Sequence, residues 1–124
     1  MGHFKDLKAW QHARMLAVLS NAAIARLPES ERDGLATQWK RASYSVALNI
    51  AEGASRRGTK EFRRFLDIAR ASLHEIEAIL DLVLALEYFR PEELAKLEAV
   101  REECAKTVYG LMRKLSNTPK QAAR

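Results

Sequence analysis

Residues 59–86 read TKEFRRFLDIARASLHEIEAILDLVLAL, a run without glycine or proline. Phe62, Leu66, Ala69, Leu73, Ile76, Leu80 and Val83 recur at alternating steps of four and three, which sets them on one face of a helix. Phe65, Ile68, Ser72, Glu75, Ile79, Leu82 and Leu86 repeat the same alternation beside them. A helix at the rim of a lone four-helix bundle needs one apolar face, about a third of its circumference. Two seams along about 28 residues, roughly 42 Å at 1.5 Å per residue, ask for a partner on each side. One seam is expected to face the chain's own helices. The other, through Phe65, Ile68, Ile79, Leu82 and Leu86, is expected to be an interface between copies of the chain. The alternative is a single, unusually wide core face.

Working outward, Pro28, Gly53, Gly58, Pro91 and Pro119 punctuate long stretches rich in Ala, Leu, Glu, Lys and Arg. That composition, without alternating β-branched runs, predicts an all-α chain. The spacing predicts helices over about 6–27, 31–53, 60–87 and 91–115. The first carries Leu7, Trp10, Ala13, Ala17, Ser20, Ile24 and Leu27 on one face. The second carries Leu35, Trp39, Ala42, Val46 and Asn49, opens on a Ser30–Asp33 capping box and stops at Gly53 as a left-handed cap. Thr59 is placed to cap the third helix. Pro91 suits the first position of the fourth, with Glu92 and Glu93 favoured by the helix dipole. The stripe of that helix is Leu94, Leu97, Cys104, Val108, Leu111 and Leu115, with Arg101 as its polar break. Short turns between long helices give antiparallel neighbours, hence an up-down-up-down four-helix bundle. A chain of 124 residues is expected to form one domain, 1–124, with a core that needs neither disulfide nor metal. The polar tail, 116–124, is expected to be disordered.

The single cysteine, Cys104, rules out an internal disulfide and suits a reducing compartment. No apolar run approaches the length of a membrane span. The opening Met1-Gly2-His3-Phe4-Lys5-Asp6 lacks the apolar centre of a secretion signal, and Asp6 stands where a myristoylation motif wants Ser or Thr. The expected location is the cytoplasm, without membrane contact. Enzymatic chemistry finds no foothold. A di-iron bundle needs Glu three residues before His on two helices, and Ala71 and Ala9 occupy those places before His74 and His12. The run from His74 to Ala78 lacks the second histidine of a zinc-protease helix. Cys104 belongs to an apolar stripe. No glycine-rich phosphate loop exists, so no cofactor and no catalytic residue is expected.

The formal charge of +5 is concentrated. Residues 39–70 hold eight cations (Lys40, Arg41, Arg56, Arg57, Lys60, Arg63, Arg64 and Arg70) against three acids (Glu52, Glu61 and Asp67), a net of +5. The remaining residues balance, thirteen of each sign. Arg57, Lys60, Arg63 and Arg64 crowd the start of the third helix, where positive charge opposes the dipole by about 0.3–1 kcal/mol each at most. Two readings fit: a phosphate-binding surface formed by Lys40, Arg56, Arg57, Lys60, Arg63 and Arg64, or a solvated basic face that keeps the protein soluble. Sequence-specific base readout is not expected, because the loop lacks interleaved aromatics.

Polar residues also interrupt the apolar pattern. Asn49 lies on the apolar face of the second helix, Ser72 and Glu75 interrupt the second seam of the third, and Arg41, Ser45 and Glu52 line a neighbouring face. Buried polar groups need partners. These six are therefore expected to bond one another, with Arg41 to Glu75 or Glu52 as candidate ion pairs fixing helix register or subunit geometry. A ligand site is the alternative.

The stretch from Gln38 to Gly53, with Gln38, Arg41, Ala42, Ser45, Val46, Asn49, Ile50, Ala51, Glu52 and Gly53 in their places, resembles the Q-x-x-R-A-x-x-S-(I/V)-x-x-N-I-A-E-G segment of a bacterial four-helix bundle family. That family includes proteins encoded in intervening sequences of large-subunit ribosomal RNA genes. Phe4 to Trp10, Phe65-Leu66, Ser72-Leu73 and Glu75 extend the resemblance over about residues 4–115. Ala47 stands where many relatives have proline. The resemblance implies an up-down bundle assembled as a homopentameric ring. Through a related group, the accessory proteins of diversity-generating retroelements, it implies nucleic acid and a reverse transcriptase as partners. Arg41, Ser45, Asn49, Glu52, Gly53 and Glu75 carry over as signature positions, none of them catalytic. Two functions are therefore expected to compete: a homo-oligomer gripping RNA or structured DNA through its basic patch, and a scaffold docking an acidic protein partner without nucleic acid.

Overall fold

A computed structural model describes residues 3–117. Four α-helices account for most of them: α1 (Lys8–Ile24), α2 (Leu35–Ala54), α3 (Thr59–Ala85) and α4 (Pro91–Ser116). Single 3-10 turns, Phe4–Asp6 and Glu29–Glu31, lead into α1 and α2, and no strand occurs among the described residues. The tail expected to be disordered lies, from residue 118 onward, outside the described residues.

Each helix packs on its neighbours in sequence, and α1 closes the bundle against α4. Cross-helix contacts fix the antiparallel sense. Asn21 on α1 donates to the Tyr44 hydroxyl on α2 (3.0 Å), Ser72 on α3 to the Ser45 hydroxyl on α2 (2.9 Å), and the Cys104 thiol on α4 to the Ala9 carbonyl on α1 (3.7 Å). One core runs through the bundle, with Leu16, Trp39, Ile50, Leu66, Leu73, Ile76, Val83 and Val108 fully enclosed.

Several local expectations change. α1 turns Ala9, Ala13, Leu16, Ser20 and Ala23 inward; of the expected row only Ala13 and Ser20 are buried. Small side chains let the helix sit close to its neighbours, and the larger Leu7, Trp10, Ile24 and Leu27 pack along its flanks. α2 begins at Leu35 because the Glu31 carboxylate accepts from the Leu35 amide (3.2 Å), in place of the Ser30–Asp33 box. The cap before α3 is Gly58, and Thr59 is already helical. α3 ends in a left-handed residue that is not glycine: Glu87, φ 63°. The Tyr88 amide reaches the Val83 carbonyl and the Glu87 amide that of Leu84, the paired reverse bonds of a Schellman ending. At α4 the Glu93 carboxylate accepts from the Arg90 amide (2.8 Å). That bond, with the Arg26 guanidinium beside it, holds the Glu93 carboxyl below its ordinary value.

The second seam of α3 is divided. Ile79 is only 4% exposed and belongs to the chain's own core, and Ser72 is buried against α2. The expectation that Ile79 lines a subunit interface is therefore corrected: its side chain is used up in the chain's own core. What the chain leaves open lies toward the ends, where Ile68 is 39% and Leu82 and Leu86 each 49% exposed. Phe65 is half-buried.

Gly53 does not cap α2. It is buried within the helix, close to the end, with no positive φ, and α3 crosses directly over it. A Cβ there would stand 2.9 Å from both Phe62 Cδ1 and Phe65 Cβ and 3.3 Å from the Phe62 carbonyl oxygen. Alanine in a helix interior gains about 0.5–1 kcal/mol over glycine, whereas overpacking a closed contact costs about 1–3 kcal/mol. Two of the three clashing atoms are backbone or fixed to it, so the clash dominates. Gly53→Ala is expected to lower stability by about 1–2 kcal/mol, read as a shift of the urea midpoint; an unchanged or raised midpoint would show that α3 can back away.

Candidate nucleic-acid interface

The turn from Ser55 to Gly58 joins α2 to α3 at one end of the bundle. Antiparallel packing brings the start of α1 and the end of α4 to that end as well, shown by a groove that Leu7, Lys8 and Ala9 share with Leu111, Arg113, Lys114 and Asn117. Lys5, Lys8, Arg113 and Lys114 thus join the cations of the turn. Dividing the bundle at the helix midpoints makes the asymmetry plain. Residues 3–16, 45–72 and 104–117 carry twelve Lys and Arg against four Asp and Glu, a net of +8. Residues 17–44 and 73–103 carry seven against twelve, a net of −5. The +5 of the chain conceals a strong polarity along the bundle axis.

The cations expected to bind phosphate do not all sit alike. Lys40 is exposed but lies in the other half of the bundle, away from the turn. Arg56 pairs with Glu52, and its guanidinium lies 4.9 Å from the centre of the Phe65 ring. Arg64 pairs with Glu61 (3.3 Å) and covers the same ring at 4.5 Å. Phe65 is thereby held by two cation–π contacts, which accounts for its partial burial. The Arg64 hydrogen bond, helped by Arg56 and Lys60, keeps the Glu61 carboxyl below its ordinary value. Arg57 and Lys60 are exposed, and neither they nor Arg113 and Lys114 form an ion pair among the described residues. Arg63 is half-buried, and its enclosed Nε has no hydrogen-bond partner among the described residues.

The polar residues form two groups instead of one. On the α2–α3 face Arg41 donates to Gln38 (2.7 Å) and Glu75 (2.8 Å). Beside it Asn49 donates to the Ser45 carbonyl (2.8 Å) and hydroxyl (3.1 Å), and Ser72 completes the cluster. Glu52 goes to Arg56. Of the six only Ser72 is buried, so Arg41–Glu75 is an exposed pair, a class worth about 0–1 kcal/mol. The cation taken into the interior is Arg101, which bonds Glu98 twice (2.9 and 2.8 Å) and reaches Glu77 at 3.9 Å. The Glu98 bonds raise its pKa.

Among the described residues no group of three or more His, Cys, Asp or Glu could hold a metal ion, and no helix is long and apolar enough to cross a membrane. Burial pushes the Cys104 thiol up to about 12, with Arg101 only partly opposing the shift. A neutral, enclosed thiol is a poor nucleophile. At pH 8 Cys104 is expected to resist a thiol reagent in the folded protein and to react promptly in urea; fast labelling of the folded protein would show that the site opens.

In sequence Arg113 and Lys114 read only as cations favoured at the C-terminus of the fourth helix, and Lys5 and Lys8 are unremarkable in their own stretch. Their signal was the topology: in any antiparallel four-helix bundle the second turn shares its end with both termini.

Such a molecule falls among antiparallel four-helix bundles of strong charge polarity, with one basic end and one acidic. Residues 5–110 match the family described as 23S rRNA-intervening sequence protein, and the chain belongs to that family. Among curated proteins it finds no match.

Proposed function

We propose that the chain is a non-enzymatic homo-oligomer, a pentameric ring if it follows what the family resemblance implies, that binds RNA or structured DNA through the basic end of its bundle. The gathering of three chain segments into a half-bundle of net charge +8 carries this reading. Among the described residues Arg57, Lys60, Arg113 and Lys114 form no ion pair. The α3 terminus adds its own positive dipole end to Arg57 and Lys60, an unfavourable placement that an anion would relieve.

Assembly rests on the α2–α3 face. Leu48, 64% exposed, and Ile68 lie about one turn beyond the Ser45–Ser72 contact, and Leu82 and Leu86 occupy the opposite end. A face with open apolar groups at both ends and a polar middle suits register-specific contact with a second copy. Leu82→Arg combined with Leu86→Arg is expected to reduce the particle mass in light scattering while leaving helical circular dichroism unchanged. An oligomer of unaltered mass would remove these residues from the interface.

For binding, RNA affinity is measured as a function of salt. Each phosphate contact contributes about 0.7–0.9 to the slope of log K against log salt. Replacing Arg57, Lys60 and Lys114 together by Ala should lower that slope by about 2 and weaken binding at low salt. Equal slopes, or no binding by the wild type, would refute the nucleic-acid reading. A partner protein retained after nuclease digestion would then favour the scaffold.

A further inference from the structure

One groove at the basic end differs from the rest. It lies between the first half of α3 and the last turns of α4, has an open volume of about 580 Å³, and is lined by Arg63, Arg70, Tyr109, Met112, Arg113, Ser116 and Asn117. Clefts that take small ligands span about 300–1,000 Å³. Three of its residues are arginines. Arg70 is tied to Asp67 (2.9 Å), whereas Arg63 and Arg113 have no carboxylate partner among the described residues. Tyr109 is 58% exposed, and the Arg113 guanidinium stands over its ring at 5.8 Å. The α2–α3 turn has no aromatic side chain; the fold supplies one from α4, more than fifty residues away in sequence.

We propose that this groove is a subsite for single-stranded nucleic acid, in which an unpaired base stacks on Tyr109 and the adjoining phosphates lie against Arg63 and Arg113. The inference rests on the nucleic-acid reading above and sharpens it from phosphate affinity to single strands. Tyr109 presents an accessible ring beside the arginines, and a base has a matching flat apolar face. Stacking on an aromatic ring beside a cationic track is how single strands are held without sequence readout. A duplex cannot use the ring, because its bases are already stacked on one another. Met112 offers an apolar side wall, and Ser116 and Asn117 offer hydrogen-bonding groups at the mouth of the groove. Arg113, already over Tyr109, is placed to extend the stack.

The test compares thymidine and uridine 12-mers with an abasic 12-mer of the same phosphate number, for wild type, Tyr109→Ala and Tyr109→Phe. The wild type should bind at least one of the base-bearing strands about fivefold or more tightly than the abasic strand, the low end of what one stacked base provides. Tyr109→Ala should abolish that preference while keeping the salt slope, and Tyr109→Phe should retain it. Equal and salt-dependent binding of all three strands by the wild type overturns the stacking subsite but leaves the charge-based reading intact. No binding of any strand overturns both. A change of oligomer mass in Tyr109→Ala, or an equal loss of affinity for base-bearing and abasic strands, assigns the ring to assembly or folding and also refutes the subsite.

Discussion

The α2–α3 pair depends on a close approach where α3 passes over Gly53. With no side chain on α2 at that point, Phe62 and Phe65 can settle against the α2 backbone, and the two helices are held at a fixed separation and register. From that crossing the rest of the α2–α3 pair follows. Roughly two turns along α2 from Gly53 lies the Ser45–Ser72 hydrogen bond, and one turn further Arg41 meets Glu75. The same crossing sets the short turn of residues 55–58 and therefore the place where Arg56, Arg57 and Lys60 emerge. Phe65 serves both ends of the arrangement. Its Cβ abuts the space over Gly53, and its ring carries Arg56 and Arg64.

The second seam of α3 behaves differently along its length. Ser72 and Ile79 are buried and Glu75 is half-buried beside Arg41, whereas Ile68, Leu82 and Leu86 stay open. The wide core face thus holds over the middle of the helix, and the outer residues Ile68, Leu82 and Leu86 are the part left open for the proposed interface. Replacing Ile79 by a charged residue would injure the core itself, so only the outer residues report on assembly.

The broad fold was legible because it depends on periodicity, and periodicity survives without knowledge of neighbours. Four long apolar series separated by Pro28, Gly58 and Pro91 leave few arrangements. Individual positions were less legible for physical reasons that can be named. The inward row of α1 is, apart from Leu16, made of alanines and a serine, which carry a weak hydrophobic signal although they permit close packing. Gly53 looked like a helix terminator because glycine has two uses, left-handed turns and close approach, and only the neighbouring helix tells them apart. Arg101 looked like an interruption in a stripe; in the fold its guanidinium is satisfied by Glu98 and Glu77, and its stem is buried as apolar side chains are. For the basic end, the local cluster at residues 56–64 could be read directly, whereas the contributions of α1 and α4 required the antiparallel topology to be applied to charge as well as to apolar residues.

Polarity of charge gives the bundle a direction. The acidic half holds a second groove, about 750 Å³, between α3 and α4 with Glu77, Asp81, Glu98 and Glu102 on its walls, and a polyanion is repelled from it. Under the proposed assembly, copies that meet through their α2–α3 faces with helices side by side in a ring would stand with their basic ends together. Fields from like patches add at distances within a Debye length, about 8–10 Å at physiological salt, so an assembled rim would attract phosphate more strongly than one chain where neighbouring patches come that near. The same addition makes assembly cost electrostatic work, because it brings like charges together. Apolar contact through Leu48, Ile68, Leu82 and Leu86 must offset that work, and a bound polyanion would reduce it. Binding and assembly are therefore coupled in this arrangement: each nucleic-acid phosphate neutralised at the rim lowers the repulsion between neighbouring copies, and each added copy deepens the attraction for the next phosphate.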